Sequence, residues 1–564
     1  KVPTAPNSDL DLTSALPIAA ADLLPTISPS SPRSARIFDA TGREAVISSW
    51  SKAVKAHPSG APDGTGLRTC YISSTEVLPL IALLLDAIRR GLISPAHRRL
   101  LTTKTTSGQL KKLDDGTYPT TVAAIIAVRP LCRHNLIRRH LARRIARAVT
   151  HHRRAFLESL GQYGNSPSGC DTAVHRMQLL AERYPHLIHH LIDIVNAHTS
   201  IARHAVLTAL DDRVHSPDAT QADVDALTYF LLFYSTAGPT LVQSVRDFLC
   251  YLQTDGLDQG CGIAGYAFNL TFSIAVHRAL LSIQPPRPHP ALPLPVLIHD
   301  DTTLPLPPTI QGSSEPFYPI AIAAITSHLL DHLRLRIAPQ KSVHFQMPLP
   351  PSHTLHISHT FPHLHSPLQY RLAGGSVGTL AGRRSYYSDL ATTYRTRLSH
   401  FISIPGVHTH GAILIITLNL RPSTTFNHHF RLAPPTITTE PPPPPSTTLA
   451  LATDANTAAL RAIAVTLRID PDQLRNPFSP NLTAFQALLP ATAGGISLPN
   501  AVVLAMTAFP SSFIDSLPGL SADPLLRRLL SDPTTYATSS IPTLTAFSAT
   551  FTAVAATPAL AIAP

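Results

Sequence analysis

Val296-Leu-Ile-His-Asp-Asp-Thr-Thr-Leu304 sets two neighbouring aspartates, Asp300 and Asp301, at the turn of a short apolar segment. Far upstream a third aspartate, Asp193, lies within another apolar run, His189-His-Leu-Ile-Asp-Ile-Val195. One acid on one strand and two at a hairpin tip form an arrangement able to hold two Mg²⁺ ions. Such ions lie roughly 3.5–4 Å apart and clamp the attacking and leaving oxygens of a phosphoryl transfer. Mg²⁺ suits this because it takes one or two carboxylates plus substrate phosphates and keeps part of its water. The chain has only 34 Asp and Glu in 564 residues, so three acids placed this way stand out. Taken singly, each also reads as a solvated turn or a helix cap.

The text around the acids adds to this reading. Gly161-Gln-Tyr-Gly-Asn-Ser-Pro-Ser-Gly-Cys170 precedes Asp193, and Thr254-Asp-Gly-Leu-Asp-Gln-Gly-Cys-Gly-Ile263 stands between the acids. Asp193-Ile-Val-Asn-Ala-His-Thr-Ser-Ile-Ala-Arg203, Gly256-Leu-Asp-Gln-Gly-Cys-Gly-Ile-Ala264, Ile298-His-Asp-Asp301 and Leu333-Arg-Leu-Arg-Ile-Ala-Pro-Gln-Lys341 follow one another in order. In that order they resemble the boxes of the reverse transcriptases of non-LTR retrotransposons. Pro58–Gly66, Leu110-Lys-Lys-Leu-Asp-Asp-Gly-Thr117, Arg129-Pro-Leu131, Ala373-Gly-Gly-Ser-Val-Gly378 and Leu489–Leu498 resemble further elements of the same family, and the resemblance spans roughly residues 36–510.

The resemblance implies an α+β right-hand polymerase with fingers, palm and helical thumb. It implies RNA-directed DNA polymerase (nucleotidyltransferase) activity, in which deoxynucleotides are added to a primer 3′-hydroxyl on an RNA template. Asp193 and Asp300 would bind two Mg²⁺ ions, with Mn²⁺ as a substitute, and Asp301 would support them. His198, Gln259, Gly260 and Lys341 would contact the nucleotide. The implied partners are an RNA template, a DNA primer and deoxynucleoside triphosphates. A catalytically inactive nucleic-acid-binding or scaffold relative is the alternative. Departures from the pattern feed that alternative: His198 stands where the family has Phe or Tyr, Cys261 where it has Asp, and Gly262 where it has Pro. The Arg129-Pro130 pair also comes late, as though residues 120–127 were inserted.

Charge agrees with a polyanionic partner. The formal net charge is +11, with 29 histidines outside that count, and positive charge favours nucleic acid through counterion release. Ile137, Leu141, Ile145 and Val149 recur every four residues, the period of an amphipathic helix with one buried stripe. Arg138, Arg139, Arg143 and Arg147 then read as its outer, phosphate-facing side, or as an ordinary solvated face. The five cysteines form no C-x-x-C pair, so neither a zinc knuckle nor a disulfide framework is indicated. The histidines at 353, 356, 359, 363 and 365 reflect composition better than a zinc site. The apolar runs at 320–325 and 412–418 fall short of the roughly 20 residues that span a bilayer. No signal peptide is visible, so an intracellular, nuclear protein without membrane contact is expected.

The expected organisation is a flexible leader over 1–35, a fingers-like region with the basic helix over 36–150, and a palm over 151–385. A thumb-like region over 386–440, a polyproline spacer at 441–445 and a helical C-terminal extension over 446–564 would follow.

Overall fold

The computed structural model describes residues 92–110, 128–235, 238–243, 248–283, 294–308, 317–348, 368–403, 425–433, 447–467, 501–531 and 539–555, with a few helical positions between 80 and 88. The leader, the glycine-rich stretch at 58–66, the segments 111–117 and 120–127, the histidine cluster at 353–365, the polyproline stretch and residues 489–498 lie outside the described residues.

In chain order the elements begin with α1 (Pro95–Thr102), β1 (Lys104–Leu110), β2 (Val128–His134), α2 (Leu136–Ser159), α3 (Gly169–Arg183) and β3 (Ile188–Ile192). Next come α4 (Ala197–Ser200), α5 (Arg203–Val214), α6 (Gln221–Phe233), β4 (Gly238–Gln243), β5 (Phe248–Gln253) and α7 (Ala264–Ser282). β6 (Val296–Ile298), β7 (Asp301–Leu306), α8 (Phe317–Leu333), a 3₁₀ turn (Pro339–Lys341), β8 (Val343–Phe345), β9 (Gln369–Leu372) and β10 (Gly375–Gly378) follow. The described chain closes with α9 (Leu380–Ile402), α10 (Asn427–Leu432), α11 (Thr447–Leu467), α12 (Ala501–Ala522), α13 (Pro524–Leu530) and α14 (Pro542–Ala555).

These elements make two compact units from interleaved chain. The first takes the described residues of Lys1–Arg153, Asn196–Thr271 and His332–Leu335; the second takes those of Arg154–Val195, Phe272–Asp331 and Arg336–Pro564. The division departs from the expected boundaries, because residues 196–271, expected in the palm, cluster with the first unit.

The first unit holds a four-stranded sheet of order β2-β1-β4-β5, antiparallel except for the parallel β1–β4 pair. Its helix α6 starts on a capping box: the Thr220 side chain and Asp223 each satisfy the other's backbone N–H, which meets donors that the first turn otherwise leaves open. Asp223 is also held by Arg153, which is buried and reaches Asp218 as well.

The second unit holds an antiparallel sheet of order β6-β7-β3-β8 and a separate β9–β10 hairpin. Val296, Leu297 and Ile298 are all buried, which explains why β6 reads as a continuous apolar run. Pro305 lies within β7 opposite His189, beyond the last residue that β6 pairs. The missing proline N–H therefore falls where one side of the strand has no ladder to complete.

Residues expected as a C-terminal extension are instead part of this unit's core. Phe509, Phe513, Leu520, Leu526, Ile541, Leu544 and Phe547 share one cluster with Tyr163, Val174, Met177, Val296, Phe345 and Tyr370. Arg176 of α3 and Asp523, both fully buried, form an ion pair across this core, and Arg176 also donates to Tyr163 Oη and to the carbonyls of Leu294 and Pro295. A second cluster packs α9, α10 and α11 around Tyr394, Phe426, Phe430, Leu460 and Ile463. Among the described residues only α12 is long and apolar enough to cross a membrane. Its Ala501, Ala505, Phe509, Phe513 and Leu520 are buried against the core, and it carries Pro510 and Pro518.

Candidate active site

Asp193 follows β3 directly and Asp301 opens β7. The two strands are antiparallel with Ile192 opposite Thr302, so one further step along the ladder sets Asp193 against Asp301. A two-residue turn, His299-Asp300, joins β6 to β7, with Ile298 paired to Asp301. The acid that the ladder brings opposite Asp193 is therefore Asp301, to which the resemblance gives the supporting role, and Asp300 lies beside it in the turn. The turn is so tight that Asp300 occupies its second corner, and Asp301 is the first residue back on the ladder.

Asp193 and Asp301 line one cleft of about 440 Å³, together with Thr302, Thr303, Lys341 and the stretch Gln369–Ala373. Burial pushes the Asp301 carboxyl above the ordinary range, and the negative charges of Asp300 and Asp193 push it further. Like charges held close disfavour ionisation in this way. The backbone of Asp193 is pinned on both sides: its N–H donates to Ser342 Oγ at 3.4 Å and its carbonyl accepts from Ala338 N–H at 2.8 Å. Ala338 and Ser342 flank the 3₁₀ turn that carries Lys341, so the lysine and the aspartate are positioned by one piece of chain.

The hairpin turn is unusual and well supported. His299 has φ of +56°, a left-handed conformation that glycine or asparagine adopts more readily. Gln162, buried, compensates from outside the hairpin. Its Oε1 accepts from His299 N–H at 3.1 Å and from Gly164 N–H at 2.9 Å, and its Nε2 faces His299 O and Ser273 Oγ. The backbone of Gly161 and Tyr163 pairs with Leu297 on both sides. A Cβ on Gly161 would sit 1.9 Å from Pro295 O, so this segment reaches β6 only because residue 161 is glycine.

The far wall of the cleft is β9 and the start of the turn that joins it to β10. The turn residues Ala373 and Gly374 have φ of +48° and +83°. His428 of α10 holds this turn: Nε2 donates to Ala373 O at 2.6 Å, and Nδ1 stands 3.4 Å from Asp171 Oδ1. The hydrogen bond to Asp171 raises the His428 pKa, and the bond to Ala373 O adds to it against the cost of burial. Arg431 completes the cluster by donating from Nε to Asp171 Oδ2 at 2.6 Å.

The remaining predicted site residues belong to the first unit. The His198 ring stacks on Phe268 at 4.3 Å between centroids. Gln259 accepts the Cys132 N–H through its backbone, and Gly260, with φ of +110°, lies where a Cβ would meet Cys132 O at 2.5 Å. Of the basic helix, Leu141, Ile145 and Val149 are buried as the spacing predicts, but Ile137 is only half-buried; Arg143 and Arg147 are exposed, and Arg139 is intermediate. Arg138 is a correction: it is 1% exposed and cannot face phosphate. It donates to Tyr229 Oη at 3.1 Å, Thr102 O at 3.3 Å and Asp258 Oδ2 at 3.2 Å. A guanidinium on the buried side of a helix is tolerated only when its donors are met. Asp258 also receives Lys104, and His134 at 2.9 Å. Burial alone would raise the Asp258 carboxyl, yet the His134 hydrogen bond and the Arg138 and Lys104 charges hold it well below the ordinary range.

Sequence reasoning passed over Gln162, Asp171, His428 and Asp258. Only Gln162 and Asp258 lay inside quoted motif text, and nothing in that text marks them as more than glycine-flanked polar residues.

Among the described residues no three His, Cys, Asp or Glu side chains form a ready-made ion cage. Asp193 and Asp301 are the residues that could hold Mg²⁺, which takes one or two carboxylates and completes its shell from water and substrate phosphate. A cation there would offset the push that burial and the neighbouring Asp300 and Asp193 give the Asp301 carboxyl.

No protein-family profile and no curated protein matches the sequence. Among solved structures, the chain has distant likeness to a telomerase from Candida albicans in complex with a TWJ fragment of telomeric RNA. That match has 10% identity and a TM-score of 0.33, covering 76% of this chain and 67% of the other. Apo telomerase from Candida tropicalis gives 9% identity and a TM-score of 0.36, covering 76% and 69%.

Proposed function

We propose that the chain is an RNA-directed DNA polymerase of the non-LTR retrotransposon kind, extending a primer 3′-hydroxyl with deoxynucleotides. The observation that carries this reading is the register that sets Asp193 against Asp301 at the mouth of a cleft shared with Lys341. Asp193 and Asp301 would hold Mg²⁺, with Asp300 beside them; the bound ions would neutralise phosphate charge and favour the ionised 3′-hydroxyl. Lys341 offers a cation to the leaving pyrophosphate. β9 and the turn after it supply a wall for the primer end, and Arg143 and Arg147 supply contacts to nucleic-acid backbone. Substitution of the family's Asp-Pro by Cys261-Gly262 favours the second reading, an inactive relative that still binds nucleic acid.

Primer extension on RNA and on DNA templates distinguishes the two. The wild-type chain is expected to extend, while Asp193→Ala and Asp301→Ala lose extension and keep primed-template affinity. Extension retained by both variants would reject the assignment. Tight binding without incorporation by the wild type would establish the inactive relative.

A further inference from the structure

His428 of α10 stands between two groups that only accept hydrogen bonds. Its Nε2 lies 2.6 Å from Ala373 O, at the turn that ends the far wall of the cleft, and its Nδ1 lies 3.4 Å from Asp171 Oδ1, at the start of α3. A neutral imidazole has one N–H and one lone pair. Whichever tautomer is drawn, one nitrogen then turns a lone pair on an oxygen. The imidazolium, a donor at both nitrogens, meets both partners.

The charges nearby call for the same form. Asp171 Oδ2 already accepts from Arg431 Nε at 2.6 Å and from Ser512 Oγ at 3.0 Å, and Arg431 also reaches Asp515 of α12 at 3.3 Å. Two carboxylates therefore share one guanidinium, and Asp171 Oδ1 is left facing His428. Burial pushes the Asp171 carboxyl up, but its bonds to His428 and Arg431 hold it below the ordinary range, so it is an anion. The adjacent histidines do not supply the missing charge, because burial lowers His175 of α3 and His429 of α10 to about 4. Arg371 of β9 acts on the His429 side, and the Cys170 thiol, raised by burial and by Asp171, is neutral.

The turn that His428 grips needs outside support. Ala373 has φ of +48° without being glycine, a left-handed conformation that its Cβ disfavours. Gly374 packs so closely on the imidazole that a Cβ there would sit 3.1 Å from the His428 Cδ2. Tyr386 of α9 adds one bond, from Oη to Gly374 O at 3.1 Å. Ala373 lines the cleft with Asp193, Asp301 and Lys341, so whatever holds this turn sets the wall that shares the cleft with the acids.

We propose that His428 is a positioning residue that clasps the cleft wall while protonated: its imidazolium ties the Ala373 turn to Asp171, and loss of the proton to solvent releases the turn. The ring is only half-buried, which leaves the proton free to exchange. The bearing of the clasp on catalysis rests on the reading of the cleft as a polymerase site whose wall serves the primer end; the clasp itself does not. The two contacts raise the His428 pKa, that to Asp171 most. The clasp is therefore closed below the folded value and opens as pH rises through it. By linkage, each unit by which closure raises that value makes the protonated clasp about tenfold tighter than the neutral one.

The test uses the full chain over a series from about pH 5 to 9, spanning the histidine range. Exchange of histidine C2 protons, read by fragment mass spectrometry, is expected to give His428 an inflection above 6.5 that His428→Gln removes. Amide exchange over residues 369–378, corrected for its intrinsic pH dependence, reports opening of that segment. Protection should be high below the inflection and fall above it by about tenfold per unit of the rise. In His428→Gln, which keeps an N–H for Ala373 O and cannot take the charge, protection should be low and constant with pH. Asp171→Asn should move the His428 inflection back towards the ordinary value; should that variant not fold, the half-buried His428→Gln decides alone. An inflection at or below 6.5, or wild-type protection of 369–378 that ignores pH, would overturn the clasp. Primer extension is read separately. In an active chain, kcat should fall through the same inflection and not do so in His428→Gln, and identical profiles would overturn the positioning role. A chain without extension would end the polymerase reading and leave the exchange data to decide the clasp.

Discussion

Individual side chains do unequal work around the cleft. Gln162 meets both backbone groups of His299, the left-handed residue just before Asp300 and Asp301. A side-chain amide can do this because it carries a donor and an acceptor side by side. Gln162→Leu keeps the bulk and removes both. Loss of these part-buried hydrogen bonds should cost about 0.5–1.5 kcal/mol in urea unfolding. If the chain polymerises, kcat should fall with little change in primer-template affinity, because the loosened turn carries Asp301. Unchanged stability together with unchanged kcat would show that the turn holds its shape unaided.

At the scale of elements, α2 separates two kinds of arginine that look alike in sequence. Arg143 and Arg147 are exposed, whereas Arg138 is sealed against Tyr229 and Asp258. Arg143→Ala combined with Arg147→Ala should leave stability nearly unchanged and flatten the salt dependence of nucleic-acid binding by roughly one unit of slope per lost phosphate contact. Arg138→Ala should instead destabilise by about 3–5 kcal/mol, since it breaks a buried ion cluster from one side. Denaturant melts and binding measured across a salt series separate the two effects. An unchanged slope in the double variant would make that face merely solvated.

For the molecule as a whole, acid should be the hostile direction. Burial lowers His189 and His190 to about 3, and His134, His140, His175 and His429 to about 4, from an ordinary 6.5. In the unfolded chain each of these takes up a proton near pH 6.5 that the folded chain refuses. The unfolded state then binds more protons, so stability is lost as pH falls from about 6.5 towards 4. Asp171, Asp223 and Asp258, held low by their cationic and hydrogen-bonded partners, add a loss of the same sign further down. His428 runs the other way: its raised pKa contributes stability below 6.5 that disappears as pH rises through its folded value. Asp301, raised by burial and its acidic neighbours, also opposes acid destabilisation, and these two against the six lowered histidines leave the balance with acid sensitivity. Urea midpoints at pH 7.5, 6.0 and 5.0 (arbitrary test points, chosen about one unit either side of the usual histidine value) should decline in that order, and a flat series would contradict it.

Local text was enough for some of this. The three aspartates, their apolar flanks and the four-residue period of α2 depend on neighbours in the chain, and local periodicity reports them. The apolar run before Asp300 likewise matches a strand buried along its whole length. What the tertiary structure decided was register and burial. Whether Asp300 or Asp301 meets Asp193 turns on a two-residue loop, and a slip of one residue would move every side chain to the other face. That Arg138 is interior, that Gln162 grips a turn far along the chain, and that helices after residue 500 complete the core around the sheet all depend on contacts between distant segments. A sequence read locally has no term for those contacts, because the partner that satisfies a buried charge or fills a core is chosen by the fold and not by the residues beside it.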